Sequence, residues 1–359
     1  MSTNQETKPL FNNSPWLAPL AGYSDLPFRL LCRECGCGTA CTEMISAKGL
    51  VYDSKSTWKY LNTCTEDSPL VVQLFGGEPH FLYKAVKMLQ EKGFSYFDLN
   101  AGCPVKKVVK TGSGAALLKD PQNLQDCLLA MLQASGERNV GVKIRSGWSP
   151  SLPNYLEVGK KVEESGAAWV TLHPRFATKG YSVSSNWSHL YELENHLAVP
   201  VLGSGDLLSA REGVKCMEQT GISNIMFARG ALKDPLVFEK YRLARVGSLA
   251  DRSCGPSDSA WDFREQAGLV CTGAIANQDD ADVIREKQQL IKRHMDLACR
   301  FEDEKRAFLK MRTLIPRYLN GFYRVGEIRK RVIEATSWRE LLGLLDDLGE
   351  WLQDRPGIQ

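Results

Sequence analysis

VGVKIRSGWSPSLPNYLEVGKKVEESGAAWVTLHPR, residues 140–175, reads as a strand, a helix and a second strand. Its ends, VGVKIRSG (140–147) and WVTLHPR (169–175), are short apolar runs. Between them, YLEVGKKVEESG (155–166) spaces its apolar residues three and four apart and finishes on Gly, as amphipathic helices do. Strands that are apolar along their length are covered on both faces, which is the signature of a parallel sheet. The same rhythm continues in both directions. WLAPLAG (16–22), TACTEM (39–44), LVVQLFGG (70–77) and YFDLNAG (96–102) come before this unit, and VPVLGSGD (199–206) and IMFARGA (225–231) come after it. Helical patterns at 79–93 and 121–136 separate some of them. Eight strand–helix units predict a (β/α)8 TIM barrel, of class α/β. A doubly wound sheet would carry GxGxxG after its first strand, and strand one here ends in APLAGYSD.

From about residue 285 the pattern is helical with no strand candidate. The expected organisation is therefore a barrel over 1–245, a linker rich in Ser, Gly and Asp over 246–284, and an all-helical C-terminal domain over 285–359. Hydrophobic and charged fractions of 43% and 24% are those of an ordinary soluble protein. No apolar stretch reaches a membrane span, and MSTNQETKPLFNNSP lacks the features of a secretory signal. A cytoplasmic protein is expected, with no membrane partner.

Eleven cysteines in a cytosolic chain of 359 residues do not suggest a disulfide scaffold. CRECGCGTAC (32–41) invites a zinc reading, but no second pair supplies the remaining ligands. Buried thiols at a helix-to-strand junction are the plainer reading, and no metal is expected. The net charge of +3 decides nothing. Between Arg285 and Arg331, however, 14 Lys and Arg stand against 6 Asp and Glu, which points to a polyanion or to a solvated helical face.

In barrels of this kind the chemistry lies at the C-terminal strand ends, with phosphate commonly held after strands seven and eight. Those ends read GSGD (203–206) and ARGA (228–231), where small residues admit phosphate oxygens and Arg229 adds a permanent cation. Gln73, Asn100, Lys143, Arg145, His173 and Arg175 mark the other strand ends, and a packed core would not select them. Such a cationic and amide lining suits flavin mononucleotide (FMN). Cys103, within DLNAGCPVKKV (98–108), could be an acid, a nucleophile, a metal ligand or a small turn residue.

Together, APLAGYSDLPFR (18–29), QLFGG (73–77), DLNAGCPVKKV, GSGAALL (112–118), VKIRSGW (142–148), HPR with KGY (173–181), GSGD and ARG resemble the tRNA-dihydrouridine synthases, most nearly their bacterial B-type branch. The resemblance implies an FMN-dependent oxidoreductase that reduces the C5–C6 bond of uridines in tRNA, drawing on NADPH or NADH. It implies flavin contacts from Pro19, Leu20, Ala21, Gln73, Asn100, Lys143, His173, Ser204, Gly205, Asp206, Ala228 and Arg229. Cys103 matches the family's proton donor, and a thiol of pKa about 8.5 is suited to that task. Arg145 matches a position near the base, and Lys106, Lys107, Arg175, Lys179 and Tyr181 lie where RNA would approach. Lys292, Arg293, Lys305, Arg306, Lys310 and Arg312 are expected to form a second wall of the RNA groove, with Tyr318, Phe322 and Tyr323 interleaved. The partners expected are tRNA and NAD(P)H, without DNA, for a monomer. The alternative is a dihydroorotate dehydrogenase-like enzyme acting on a free pyrimidine.

Overall fold

The computed structural model describes residues 10, 14–136, 139–180, 182–252, 279–320 and 325–348. Its strands are β1 (Trp16–Leu17), β2 (Thr39–Cys41), β3 (Ile45–Ser46), β4 (Leu70–Phe75), β5 (Tyr96–Ala101), β6 (Val140–Gly147), β7 (Trp169–Phe176), β8 (Val201–Gly203) and β9 (Asn224–Phe227). All pair in parallel, and β1 joins both β2 and β9, so the sheet closes on itself. A single strand was expected over 39–44; the structure has two pieces instead. Both lie on β4, with Ala40 opposite Leu70 and Ile45 opposite Leu74, so they form one stave of an eight-stave barrel. Thr42 explains the break. Its hydroxyl, not its carbonyl, accepts the Gln73 N–H at 3.1 Å, and the chain kinks there before resuming.

Side chains alternate along each stave, so every second residue faces the barrel interior. At the bottom, Leu10, Trp16, Cys41, Val71, Trp169, Leu202 and Met226 form a closed apolar plug. Trp16 and Trp169 meet edge to face with ring centroids 5.4 Å apart. Gly141 makes room for this plug, because a Cβ there would lie 2.0 Å from the Trp169 ring. Two residues higher the columns turn polar, with Gln73, Asp98, Lys143 and Thr171, and higher still with Asn100, Arg145 and His173.

The surrounding helices carry the local signals that start and stop them. Asp120 caps Pro121–Ser135 by accepting from Asn123 N–H, and left-handed Gly136 ends it. Ser209 caps Ala210–Thr220, while Glu212 reaches back to the Leu208 N–H and the Ser209 hydroxyl, a reciprocal box. Helices reach into the stretch expected as linker from both sides, Val237–Arg252 and Asp279–Phe301. Residues 253–278, with Cys254 and Cys271, lie outside the described residues.

Asp279–Phe301, Glu304–Tyr318, Val325–Glu334 and Trp338–Asp346 make up the C-terminal helices. They dock on the barrel helix Leu26–Glu34 and on the segment around Asp234. Arg293 pairs with Glu34 at 2.7 Å, Lys287 with Asp234 at 2.6 Å, and Lys310 bonds the buried Asp25. Buried His294 bonds the Tyr318 hydroxyl at 2.9 Å and packs beside Phe28. Of the cations expected to form a second wall, Lys310 is turned inward, while Arg293, Lys305 and Arg306 stay exposed. Lys310 and Arg293 hold the two parts of the chain together, Lys292 pairs with Asp346, and Arg306 pairs with Glu302. Tyr318 is a core residue, and Phe322 and Tyr323 lie outside the described residues. Cys32, Cys35, Cys37 and Cys41 are buried, and burial pushes their thiols up, those of Cys35 and Cys37 to about 12. Among the described residues no group of three or more His, Cys, Asp or Glu is placed to hold a metal ion. No helix of the described residues is long and apolar enough to cross a membrane.

Candidate active site

A cleft opens at the C-terminal ends of β1, β6, β7, β8 and β9. Ala18, Pro19, Leu20, Lys143, His173, the turn Ser204–Leu208, Ala228 and Arg229 line it. Nine of the residues expected to hold a cofactor therefore share one wall. Asp206 organises its floor. Its carboxylate accepts from Arg175 at 2.5 Å, from Arg229 at 2.7 Å and from the Ser185 N–H at 2.7 Å. Burial opposes ionisation here. The Ser185 N–H and the two guanidiniums outweigh it and hold the carboxyl below its usual range. Asp206 thus ties the β7, β8 and β9 ends together. Arg175, expected at the RNA surface, is 4% exposed with its guanidinium on that carboxylate. Arg229 pairs with the same group while its side chain keeps 41% exposure.

Above this floor the charges are tuned by their surroundings. Burial, and then the neighbouring Arg145, pushes Lys143 down to about 8, against the pull of Asp98. Burial followed by Lys143, Arg145, Arg175 and Arg229 holds His173 well below the ordinary histidine range, so its ring is neutral at pH 7. Gly205 has φ +102°, and a Cβ there would lie 2.5 Å from the Ser185 hydroxyl and 2.6 Å from the His173 ring. The Ser185 hydroxyl is buried with no hydrogen-bond partner among the described residues.

The remaining expected residues lie elsewhere. Ala21 is exposed beyond the cleft lining. Gln73 and Asn100 are 0% and 7% exposed and turn their amides toward each other, with Asn100 Nδ2 donating to Gln73 Oε1 at 2.7 Å. Gln73 Nε2 donates in turn to Asp98 at 2.7 Å. Asn100 Oδ1 accepts from the backbone N–H groups of Gly102 at 3.2 Å and Cys103 at 2.9 Å. The amides therefore anchor the loop that carries Cys103. Arg145 anchors the same loop from β6, donating to the Gly102 carbonyl at 2.8 Å, and is itself 4% exposed. The Cys103 carbonyl accepts from Ala115 N–H at 2.9 Å.

Cys103 is half-buried. Burial raises its thiol above the ordinary range, against a bond from the Val105 N–H and the nearby Arg145. It is protonated at neutral pH, and the described residues offer it no metal partners. Lys106 and Lys107 follow on a short helix, Lys106–Val109, and are exposed, as is Lys179. Tyr181 lies outside the described residues. Four residues escaped the sequence reading: Asp98, Ser185 and the cleft-lining pair Leu207–Leu208. Asp98 left a legible trace, since it sits two before Asn100 and so faces the same interior.

A closed parallel barrel with its polar residues gathered at the C-terminal strand ends is the architecture of the α/β-barrel enzymes. The chain matches the model of the dihydrouridine synthase family, "Dihydrouridine synthase (Dus)", over residues 16–348, and it is a member of that family. It is 34% identical over 236 residues to a probable tRNA-dihydrouridine synthase of Treponema pallidum, covering 63% of this chain and 69% of that one. It is 29% identical over 343 residues to a probable tRNA-dihydrouridine synthase of Mycobacterium tuberculosis, covering 92% of this chain and 81% of that one. Similarity to the tRNA-dihydrouridine synthase B of Pseudomonas aeruginosa is 33%, covering 62% of this chain and 67% of that one. Among solved structures, morphinone reductase shares the barrel, with a TM-score of 0.50 and 10% identity over 66% of this chain and 88% of that one.

Proposed function

We propose that this protein reduces the C5–C6 bond of specific uridines in tRNA to 5,6-dihydrouridine, using FMN and NAD(P)H. The observation that carries this reading is a protonated thiol, Cys103, at the end of β5, one stave from Lys143, in a chain whose barrel and C-terminal helices both fall within the dihydrouridine synthase match. The cleft has the features FMN requires. A partly desolvated lysine favours an anionic partner, and Ser185 has an unmet hydroxyl. Gly205 brings its backbone close against Ser185 and His173, where a Cβ would collide. Pro19, Leu20, Lys143, His173, Ser204, Gly205, Ala228 and Arg229 would hold it. Asp206 would act by fixing Arg175 and Arg229.

FMN, when bound and reduced, supplies the hydride for C6 of the uracil. Cys103 Sγ holds the proton that C5 needs, and burial keeps it there at neutral pH. Arg145, beside the loop, favours the thiolate left after transfer, which limits how far burial raises the thiol. A stacked uridine cannot reach a barrel mouth, so the target base must be extruded, and phosphate contacts carry much of the RNA affinity. Lys106 and Lys107, exposed on the helix that follows Cys103, and Lys179, exposed after β7, suit that task. A free pyrimidine would need neither these lysines nor the C-terminal helices.

The test is nucleoside mass spectrometry of tRNA from cells with and without the gene, paired with the purified protein acting on unmodified tRNA. Loss of dihydrouridine at defined positions, restored by the yellow purified protein and NADPH or NADH, is expected. Intact dihydrouridine in the deletion strain, together with turnover of free dihydroorotate or uracil, would overturn the proposal.

A further inference from the structure

We propose that Asp98 is a positioning residue: it sets the donor–acceptor direction of a buried side-chain relay that holds the Cys103 loop in place. This rests on the reading of Cys103 as the acid, but its first readout does not require turnover.

The relay crosses two staves. Gly102 and Cys103 N–H donate to Asn100 Oδ1, Asn100 Nδ2 to Gln73 Oε1, and Gln73 Nε2 to Asp98 Oδ2. The other Asp98 oxygen accepts from Trp169 Nε1 at 3.2 Å. Two ends of this relay allow no choice. The backbone groups of Gly102 and Cys103 can only donate, and so can the indole N–H. The two amides between them could each face either way, since an amide donates from one side and accepts on the other. With donors at both ends, the relay closes only around a residue that accepts on both sides, and a carboxylate at 98 does so. Gln73 must then turn its NH2 toward Asp98 and its oxygen toward Asn100. Asn100 must in turn present its oxygen to the loop. The aligned dipoles reinforce one another in a site where Asp98 is 2% exposed.

Asp98→Asn keeps the shape and breaks the logic. Trp169 is wedged against Trp16 and over Gly141, so its N–H cannot turn away. The new amide gives its oxygen to the indole and its NH2 to Gln73. Gln73 reverses and forces Asn100 to reverse, which sets the Asn100 NH2 against the N–H groups of Gly102 and Cys103. The loop then loses two anchoring bonds. Adding Asn100→Asp repairs the relay in mirror image. The amide now at position 98 donates to Gln73, Gln73 donates to the carboxylate now at position 100, and that carboxylate accepts from the loop. A residue that only packs predicts no such repair.

The experiment is peptide-resolved alkylation of Cys103 by iodoacetamide in the full-length holoprotein, with dihydrouridine formation measured in parallel. Alkylation of Asp98→Asn should rise about tenfold or more, the scale of one to two buried hydrogen bonds. Dihydrouridine formation should fall by a similar factor. In Asp98→Asn/Asn100→Asp, alkylation should return to within about threefold of the parent, since each relay bond is remade. Unchanged alkylation in the single variant, or a double variant as reactive as the single, overturns the proposal. If the single variant does not fold, the comparison is read as melting temperature: a double variant that folds supports the relay, and one that does not overturns it. If the parent makes no dihydrouridine, the functional reading fails while the alkylation comparison still decides the relay.

Discussion

Cys103→Ala removes one sulfur and little else, and so isolates the proposed proton donor. The Cys103 N–H still reaches Asn100 Oδ1 at 2.9 Å, and its carbonyl still accepts from Ala115 at 2.9 Å, so the loop keeps its anchors. The thiol is not part of the cleft lining, and flavin content should not change. What disappears is general-acid assistance, worth about 10²–10⁴ in rate, or roughly 3–5 kcal/mol in the barrier. The pH dependence adds a second handle. An acid acts while protonated, so the rate must fall as pH rises through the thiol pKa. An unperturbed thiol of pKa about 8.5 would be about three-quarters ionised at pH 9. Because burial raises Cys103, with Arg145 opposing only in part, the parent should retain most of its activity at pH 9. The assay is a single turnover of the reduced enzyme on dihydrouridine-free tRNA across a pH series, quenched and read by nucleoside mass spectrometry. A Cys103→Ala rate within threefold of the parent would refute the acid role. An alkaline limb at or below the ordinary thiol value would refute the effect of burial.

Gly205→Ala places a Cβ 2.5 Å from the Ser185 hydroxyl and 2.6 Å from the His173 ring at φ +102°. Flavin affinity should fall about tenfold or more, given ~1–2 kcal/mol for the backbone alone, as read by fluorescence titration of the apoprotein. Lys310→Ala leaves the Asp25 carboxylate, whose side chain is 8% exposed, without its cation. Breaking a buried pair costs about 3–5 kcal/mol, and scanning calorimetry should show a melting temperature lower by on the order of 10 °C. Lys106→Glu with Lys107→Glu should weaken tRNA binding and flatten the plot of log affinity against log salt by about two, while flavin content stays constant in the same preparations.

The sequence made the barrel legible because its evidence is local. VGVKIRSG and VPVLGSGD are apolar enough to be buried on both faces, and each ends in small residues where the chain must turn. The strand-end residues were readable for a related reason. A lysine at 143 inside such a run has no packing rationale, and the structure does place it in the cleft. What stayed hidden was the identity of partners. Lys310 is one of 14 cations in a basic stretch, and nothing within that stretch reveals that an aspartate 285 residues away neutralises it. Arg175 looks from its motif like a surface cation, yet Asp206, at the end of another stave, draws it inward. Gln73 and Asn100 were expected to face a ligand because amides at a barrel mouth commonly do. Their direction is instead set by Asp98, through bonds between β4 and β5 that depend on the register placing Gln73 opposite Asp98. Alternation along one strand says which residues share the interior, but only the pairing of staves says which of them touch. Two-residue periodicity therefore nominates Asp98 as soon as Asn100 is placed inside. Its role emerges only once the neighbouring strand is in register, where a carboxylate, and not an amide of the same shape, can accept from both sides.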